Sequence, residues 1–427
     1  MVSRRLCFPF FALLAFACPL GAEPIYERSP LRYWDRPVRD QISRWERESR
    51  YGRSSFDAKT ETELVQQVLD ELDVPVESQV LVFSKTSFQV DKIAPLQPRA
   101  IYFSNKHYVG WVPGGEVEIT TVDPKVGFTF YRVALPGPGD LGPKIVRDKG
   151  CLFCHAGRDE NPYPGLMVLS TPTSAKGTQL SHRGGVVDVD HTTPVEERWG
   201  GWYVTGQWEG PRHRGNLWLA ESDELSDAID AADTDLGPSA ERLQEHVDLE
   251  PYLADTSDAV ALLVLEHQAL AHNRLLQAFG NTRLALYNDD AYMRGDAVTP
   301  ETRAVFETET AQLLDAFLFK NEASLSAVSL GADSPFTAPF EARSESDEKG
   351  RSLRQLQLDD RLFEYRCSYM IHSEAFEQLP GPFREHVLTE LEQILGQPAG
   401  TGDYPYLTNE ERSAIREILT DTGVLAG

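Results

Sequence analysis

The stretch Val117–Leu135, VEITTVDPKVGFTFYRVAL, decides the fold class of this chain of 427 residues. Apolar and polar side chains alternate in Val117–Thr120, as expected of a half-buried antiparallel strand. Proline, glycine and asparagine turn signals separate several such runs, and Pro113-Gly114-Gly115 fits a hairpin turn. The β-type runs are Gln79–Phe83, Ala100–Phe103, Tyr108–Val112, Val117–Val122 and Val126–Leu135. We therefore predict a β-rich amino-terminal part.

Helical patterns flank these runs on both sides. Leu64, Val68 and Leu72 recur every four residues, and helical periodicity dominates from Glu241 onward. Residue types that cap helices begin several of these segments. The predicted helices are Gln41–Ser49, Glu61–Leu72, one capped by Asp255 or Ser257 and running to about Gln277, one capped by Thr299 and running to about Asn321, and one capped by Thr408 and running to about Leu419.

The fold class that follows from these patterns is α+β. We predict a signal peptide at residues 1–22 and a β-rich domain at residues 23–140. A loop-rich region follows at residues 141–240, and a mostly helical domain at residues 241–427 completes the chain. The proline and glycine residues at 136–139 mark the end of the β-rich domain.

The chain begins with the features of an exported bacterial protein. Arg4 and Arg5 precede an apolar run at residues 6–20, and two small residues follow it. This order is typical of a secretory signal peptide, so we expect cleavage after Ala22 and a periplasmic mature protein. An alternative is a lipoprotein processed at Cys18, although the residue three positions before it is alanine rather than the usual leucine. No later segment is long and apolar enough to span a bilayer.

Acidic residues dominate the composition, with 66 Asp and Glu against 41 Lys and Arg. Residues 1–22 hold two of the basic residues and no acidic one, so the mature chain has 39 basic against 66 acidic residues and a net charge of −27. Such a field repels nucleic acid and anionic lipid, and we exclude both as partners. It attracts a basic protein partner, although acidity also serves solubility alone.

The segment Cys151-Leu152-Phe153-Cys154-His155 carries the predicted chemistry. Two thiols three residues apart can add to the two vinyl groups of a haem, and the adjacent histidine then reaches the iron from the same side. The spacing matters because the porphyrin fixes both thioether positions relative to the iron. The segment matches the attachment motif of c-type cytochromes in full. It predicts one covalent haem c on Cys151 and Cys154, with His155 as the proximal iron ligand.

Other uses of paired cysteines fit the sequence less well. A redox dithiol of the thioredoxin type begins a long helix, whereas Gly157 and Pro162 stop any helix here. A zinc site needs further ligands, and the sequence has no second cysteine pair. Small cytochromes c place a long helix before their motif, and Pro136, Pro138 and Pro143 exclude one. An ordinary small-cytochrome domain is therefore not expected.

Three residues are candidates for the sixth position on the iron. His191 is the first, because residues 193–196 have the pattern of a helix start, whose positive potential favours the neutral imidazole that binds iron. Met370, in an apolar segment, is its rival. Met167 lies only twelve residues past His155, which makes its reach awkward. Each of the three could instead be an ordinary loop or core residue.

Further histidines and a cluster of aromatic residues accompany the motif. His213, between two arginines, is a candidate for a haem propionate or a substrate, or else a surface residue. His267 and His272 lie five residues apart on one predicted helix and point to different sides, so we expect them to be structural or exposed. Several aromatic residues could wall a haem pocket or pack in a core: Trp199, Trp202, Tyr203, Trp208 and Trp218.

Four segments resemble an uncharacterised family of exported bacterial proteins with a single CxxCH motif. They span most of the mature chain and are Gln79–Gln89 (QVLVFSKTSFQ), Tyr108–Gly115 (YVGWVPGG), Arg198–Gly206 (RWGGWYVTG) and Cys367–Pro380 (CSYMIHSEAFEQLP). The resemblance implies haem binding and names no reaction.

Three functions are compatible with one covalent haem. The leading hypothesis is one-electron transfer with a redox partner protein in the periplasm. An alternative is a peroxidase-like haem enzyme with an exchangeable sixth position, which the length of the chain favours because one haem needs far fewer residues to be enclosed. A third is a haem-based sensor or binding module. The oligomeric state is not predicted.

Overall fold

A six-stranded antiparallel sheet, with its strands in sequence order, is the centre of the amino-terminal half. The computed structural model describes residues 23–156, 162–220, 240–326, 329–330 and 334–426. The predicted signal peptide and Cys18 lie outside these residues. The strands are β1 (Val80–Val82), β2 (Arg99–Phe103), β3 (His107–Trp111), β4 (Val117–Asp123), β5 (Gly127–Ala134) and β6 (Lys144–Arg147). All five predicted β-type runs are confirmed as strands.

The helices concentrate in the carboxyl-terminal half, and the fold class is α+β, as predicted. Two short pairs of strands accompany them: β7 (Leu169–Ser170) with β8 (Val187–Asp188), and β9 (Trp208–Glu209) with β10 (Ser329–Leu330). The helices are α1 (Gln41–Arg50), α2 (Glu61–Glu71), α3 (Leu152–His155), α4 (Ala240–Gln244), α5 (Ala259–Asn288), α6 (Asp290–Met293), α7 (Pro300–Phe317), α8 (Thr337–Ala342), α9 (Glu374–Glu377), α10 (Gly381–Leu395) and α11 (Asn409–Asp421).

The sheet has two covered faces, because successive side chains of a strand point in opposite directions. On one face, Leu81, Tyr102 and Trp111 are fully buried. They share an apolar cluster with Ile42 of α1 and Val65 of α2. The two amino-terminal helices therefore cover this face.

The opposite face, called here the front face, carries Val82, Ile101, Tyr108, Glu118 and Phe130. Its apolar residues belong to the same cluster as the interior of the carboxyl-terminal helices, in which α5 packs against α7. Sheet and helices thus share a core, although the sequence assigns them to different domains. The domain boundaries at residues 140 and 240 remain predictions from the sequence.

Helix α5 is capped by Asp258, which corrects the prediction of Asp255 or Ser257. The carboxylate of Asp258 accepts hydrogen bonds from two backbone N–H groups of the first turn. Ser257 is used elsewhere: its hydroxyl donates to the Tyr203 carbonyl at 2.6 Å and accepts from the Leu81 N–H at 2.8 Å. The serine therefore attaches the start of α5 to β1 instead of capping the helix. The helix also ends well beyond the predicted end.

Two other predicted caps are confirmed. Thr299 and Thr408 each accept a hydrogen bond from the backbone N–H three residues on. At residues 193–196 a single turn forms, as predicted, but it is a 3-10 turn, Val195–Glu197, without a side-chain cap. A turn this short has only a weak dipole, so the electrostatic reason given for a neutral His191 does not hold. Within the described ranges, no helix is both long and apolar enough to cross a membrane.

Candidate functional site

The CxxCH segment follows the last strand of the sheet directly. Strand β6 leads into a 3-10 turn, Lys149–Cys151, and then into α3. Asp148 begins the turn, since its Oδ1 accepts from the Gly150 N–H at 2.8 Å and its Oδ2 from Arg132 Nε at 2.6 Å. The start of the motif is thereby fixed to β5, and one short helical segment carries both thiols and the histidine.

The two thiols differ in exposure. Cys151 is half-buried and Cys154 is exposed. Burial, together with the nearby carboxylates of Asp148 and Glu118, raises the pKa of the Cys151 thiol to about 11. Reactive dithiols depend on a thiol whose pKa is lowered. The environment of Cys151 therefore argues against the redox-dithiol alternative.

His155 is held by a two-way connection to Gly165. The Gly165 N–H donates to the His155 carbonyl at 2.8 Å, and the Gly165 carbonyl lies 2.8 Å from His155 Nδ1. Because a carbonyl only accepts, Nδ1 carries the proton and the metal-binding lone pair belongs to Nε2. The imidazole also packs on Phe130 of the front face, with ring centroids 4.5 Å apart. This is the arrangement that orients a metal-binding histidine.

Cys151, Cys154 and His155 line a cleft of about 1080 Å³, counting its open mouth. The front face forms one wall, and α5 and residues 166–169 form the others. The deep part is apolar, with Phe130, Val168 and Trp202 all buried. A cleft with apolar walls, two thiols and an oriented imidazole fits a haem.

Neither leading candidate for the sixth position lines this cleft. His191 is buried in the core, where its Nδ1 lies 3.0 Å from His267 Nδ1 and its ring packs against Phe319. Burial lowers the pKa of His191 to about 4, so the imidazole is neutral for a reason other than the one predicted. Met370 is fully buried in the core. Met167, by contrast, lines the cleft two residues beyond Gly165.

The other predicted histidines also lie in buried surroundings. His213 packs between Trp199 and Trp208, with ring centroids 4.9 and 5.2 Å away, and is not among the cleft residues. His267 and His272 point to different sides of α5, as predicted, and both are buried. Among the described residues, no three His, Cys, Asp or Glu side chains form a metal-binding group.

Of the predicted aromatic cluster, Trp202 lines the cleft. Its indole N–H donates to the Leu169 carbonyl at 2.8 Å, which fixes the ring at the wall. Trp199 instead donates to Glu266 in the core. Both roles considered from the sequence therefore occur in this cluster: Trp202 forms part of the cleft wall and Trp199 packs in the core.

Two cleft residues, Tyr108 and Arg99, were not predicted. The Tyr108 hydroxyl lies 2.8 Å from His272 Nδ1 and accepts from Gln268 Nε2 at 2.7 Å. Burial lowers the pKa of His272 to about 3, so the neutral ring accepts the phenol hydrogen. Alternation along β3 puts Tyr108 and Gly110 on one face, and this pattern was the available signal.

No family model, no curated protein and no solved structure matches this chain.

Proposed function

We propose that this protein is an exported c-type cytochrome that carries one haem c and transfers single electrons in the periplasm. The haem is bonded to Cys151 and Cys154, and His155 is its proximal ligand. The observation that carries the proposal is the hydrogen bond from His155 Nδ1 to the Gly165 carbonyl, 2.8 Å long, at the edge of an apolar cleft. It supports Nε2 as the ring nitrogen that would bind the iron, because Nδ1 carries the proton.

Each part of the site has a separate task. The bound haem supplies a one-electron couple at its iron. Gly165 fixes the orientation and tautomer of His155, and Phe130 limits rotation of the ring. Trp202 and Val168 exclude water from the deep part of the cleft, which keeps the local dielectric low and helps to set the redox potential. The acidic surface, with a net charge of −25 for the whole chain, favours a basic protein as redox partner.

The first experiment tests covalent attachment. The full chain is exported in a bacterium that expresses the haem-attachment machinery, and its visible spectrum and intact mass are recorded. We expect a c-type spectrum and a mass increased by one haem. Cys151→Ala with Cys154→Ala should give a colourless protein. Cys367→Ala, which removes a buried thiol outside the cleft, is the matched control and should keep the pigment. A pigmented double variant would contradict the thioether assignment.

A haem enzyme with an exchangeable sixth position is the second candidate function. It is favoured by one observation: His191 and Met370, the ligands predicted for that position, do not line the cleft. Met167 does line the cleft. Among the described residues of the lining, His155 is the one histidine and Met167 the one methionine. The identity of the sixth ligand therefore separates electron transfer from catalysis.

Spin state and ligand binding decide between the two candidates. Low-spin iron that ignores carbon monoxide and peroxide in the unaltered protein supports electron transfer. In that case Met167→Leu should give high-spin iron that binds carbon monoxide, whereas Met370→Leu, a matched methionine in the core, should leave the spectrum unchanged. High-spin iron that reacts with peroxide in the unaltered protein would instead support catalysis.

A further inference from the structure

A charged pair lies within the mostly apolar cleft. Arg99, on β2, extends its guanidinium into the cleft, where Nη2 lies 2.5 Å from Glu118 Oε2. The two side chains are only 19% and 15% exposed, so both charges are largely removed from water. Within the described residues, Arg99 Nε is buried and has no hydrogen-bond partner. A buried donor without a partner is costly, and it indicates a place for a ligand that accepts hydrogen bonds.

The backbone makes room for this guanidinium at Gly110. Gly110 stands in the middle of β3, paired with Ile101 on one side and Glu118 on the other. A Cβ atom added there would lie 2.1 Å from Arg99 Nη2, a distance at which the guanidinium must move away. Glycine inside a strand weakens the sheet and marks a close approach of another group. Here that group is the guanidinium of Arg99, which lies across strand β3.

Glu118 holds the arginine in this position. Its Oε1 accepts from Gln89 Nε2 at 3.2 Å and from the Ser87 hydroxyl at 3.4 Å, and both donors belong to the loop after β1. These contacts fix the carboxylate, and the carboxylate fixes Arg99 Nη2. The carboxylate also compensates part of the charge of the arginine in the low-dielectric cleft. The guanidinium is thus pre-positioned, with one edge still lacking an acceptor.

Arg99 shares its cleft with the predicted attachment segment. Cys151 follows β6, the guanidinium of Arg99 lies over Gly110 of β3, and both residues line the same cleft. The vinyl groups that bond to the thiols and the two propionates lie on opposite edges of the porphyrin. A haem bonded at Cys151 and Cys154 in this cleft would have Arg99 as a hydrogen-bond donor for a carboxylate on its other edge.

We propose that Arg99 binds a haem propionate, with Gly110 giving the guanidinium its space and Glu118 its orientation. This inference rests on the proposed function. A planar guanidinium matches a carboxylate through paired hydrogen bonds, which suits Arg99 better than the enclosed His213 considered from the sequence. An arginine within hydrogen-bond reach lowers the pKa of a carboxyl group by about 1–3, so a propionate bound by Arg99 would stay ionised at and below neutral pH.

The experiment uses the holoprotein with its covalent haem and measures the midpoint potential as a function of pH. Because the thioether bonds keep the haem in place, Arg99→Gln should retain it by intact mass. We expect a lower potential, since a positive charge beside the haem is lost. We also expect a new dependence on pH between about pH 4 and 6, where an ordinary carboxyl group titrates. The propionate should lose its proton at a pKa at least one unit higher, which is a tenfold smaller acid dissociation constant.

Matched variants separate this role from a general structural one. Arg99→Lys keeps the charge and should keep most of the potential. Arg351→Gln removes another ion-paired arginine, bound to Asp347 and Glu417, and should change nothing. Gly110→Ala keeps Arg99 but displaces its guanidinium, so it should change the potential and its pH dependence in the same way as Arg99→Gln. If Arg99→Gln does not fold, Gly110→Ala tests the role of Arg99 in its place.

The outcomes distinguish the two proposals. A wild-type protein without covalent haem overturns the proposed function and this inference together. A haem-loaded Arg99→Gln or Gly110→Ala protein whose potential follows pH as in the wild type overturns the inference alone, because the haem would then be present and its propionates independent of Arg99.

Discussion

Gly280 of α5 offers a direct test of how the core positions the candidate site. The glycine lies in the interior of a long helix, where alanine is normally better by about 1 kcal/mol. The ring of Tyr163 lies against it, so that an added Cβ atom would be 2.3 Å from Cε1 and 2.4 Å from Cζ of the tyrosine. The Tyr163 hydroxyl donates to Asn281 Oδ1 at 2.6 Å. Tyr163 stands two residues before Gly165, which holds His155.

We expect Gly280→Ala to destabilise the protein in spite of its better helix propensity. Overpacking a buried contact of this kind costs about 1–3 kcal/mol. Displacing the ring also loses a hydrogen bond of about 1 kcal/mol. Against a propensity gain of about 1 kcal/mol, the net loss in the free energy of unfolding is about 1–3 kcal/mol. The displacement should also move Gly165 and change the visible spectrum of the holoprotein.

Equilibrium unfolding in urea measures the first effect. The control is Gly381→Ala, because Gly381 begins α10 and has no atom within 4 Å of an added Cβ. That variant should be unchanged or slightly more stable, with an unchanged spectrum. If Gly280→Ala proves as stable as the wild type, the close packing of Tyr163 on α5 is not what holds this segment, and the reasoning is refuted.

Two further predictions concern buried charge. Burial lowers the pKa of His213 to about 3 from its ordinary 6.5. Below pH 6.5 the unfolded chain therefore binds a proton at this residue that the folded chain does not bind. Relative to His213→Gln, the wild type should therefore lose about 1.4 kcal/mol of unfolding free energy per pH unit between pH 6.5 and 4.5. If the unfolding free energies of the two proteins depend on pH in the same way, this prediction is wrong. Arg198 and Glu266 form an ion pair at 2.7 Å with both side chains buried, so Glu266→Gln should cost about 3–5 kcal/mol in urea unfolding. Asp73→Asn, in an exposed pair, should cost less than about 1 kcal/mol, and equal losses in the two variants would contradict the role of burial.

Much of the local structure could be predicted because its causes lie within a few residues. The strand runs around Val117 alternate, and alternation fixes which residues share a face before any partner is known. Thr299 and Thr408 cap helices because each meets a backbone N–H three residues away. Asp258 was missed because Asp255 and Ser257 have equally suitable side chains. The choice among the three depended on contacts that Ser257 makes with distant strands.

The candidate site was only half predictable for the same reason. The spacing of Cys151, Cys154 and His155 predicts a haem-attachment segment without any knowledge of tertiary contacts. The surroundings of His191 depend on His267, 76 positions away in sequence, and on how α5 crosses the sheet. No local pattern indicates such a contact. A local pattern therefore made His191 a candidate ligand for the iron, whereas the tertiary structure places it in the core.

Covalent spacing and short-range backbone hydrogen bonds make three features readable from the amino-acid sequence: the CxxCH segment, the two faces of each strand and most of the helix starts. Which face of the sheet meets α5, and hence where the cleft lies, depends on the tertiary structure. It also brought Gly165 to His155 and Arg99 across Gly110. Burial of apolar surface has no direction of its own, so the pairing of distant faces depends on how the whole chain packs.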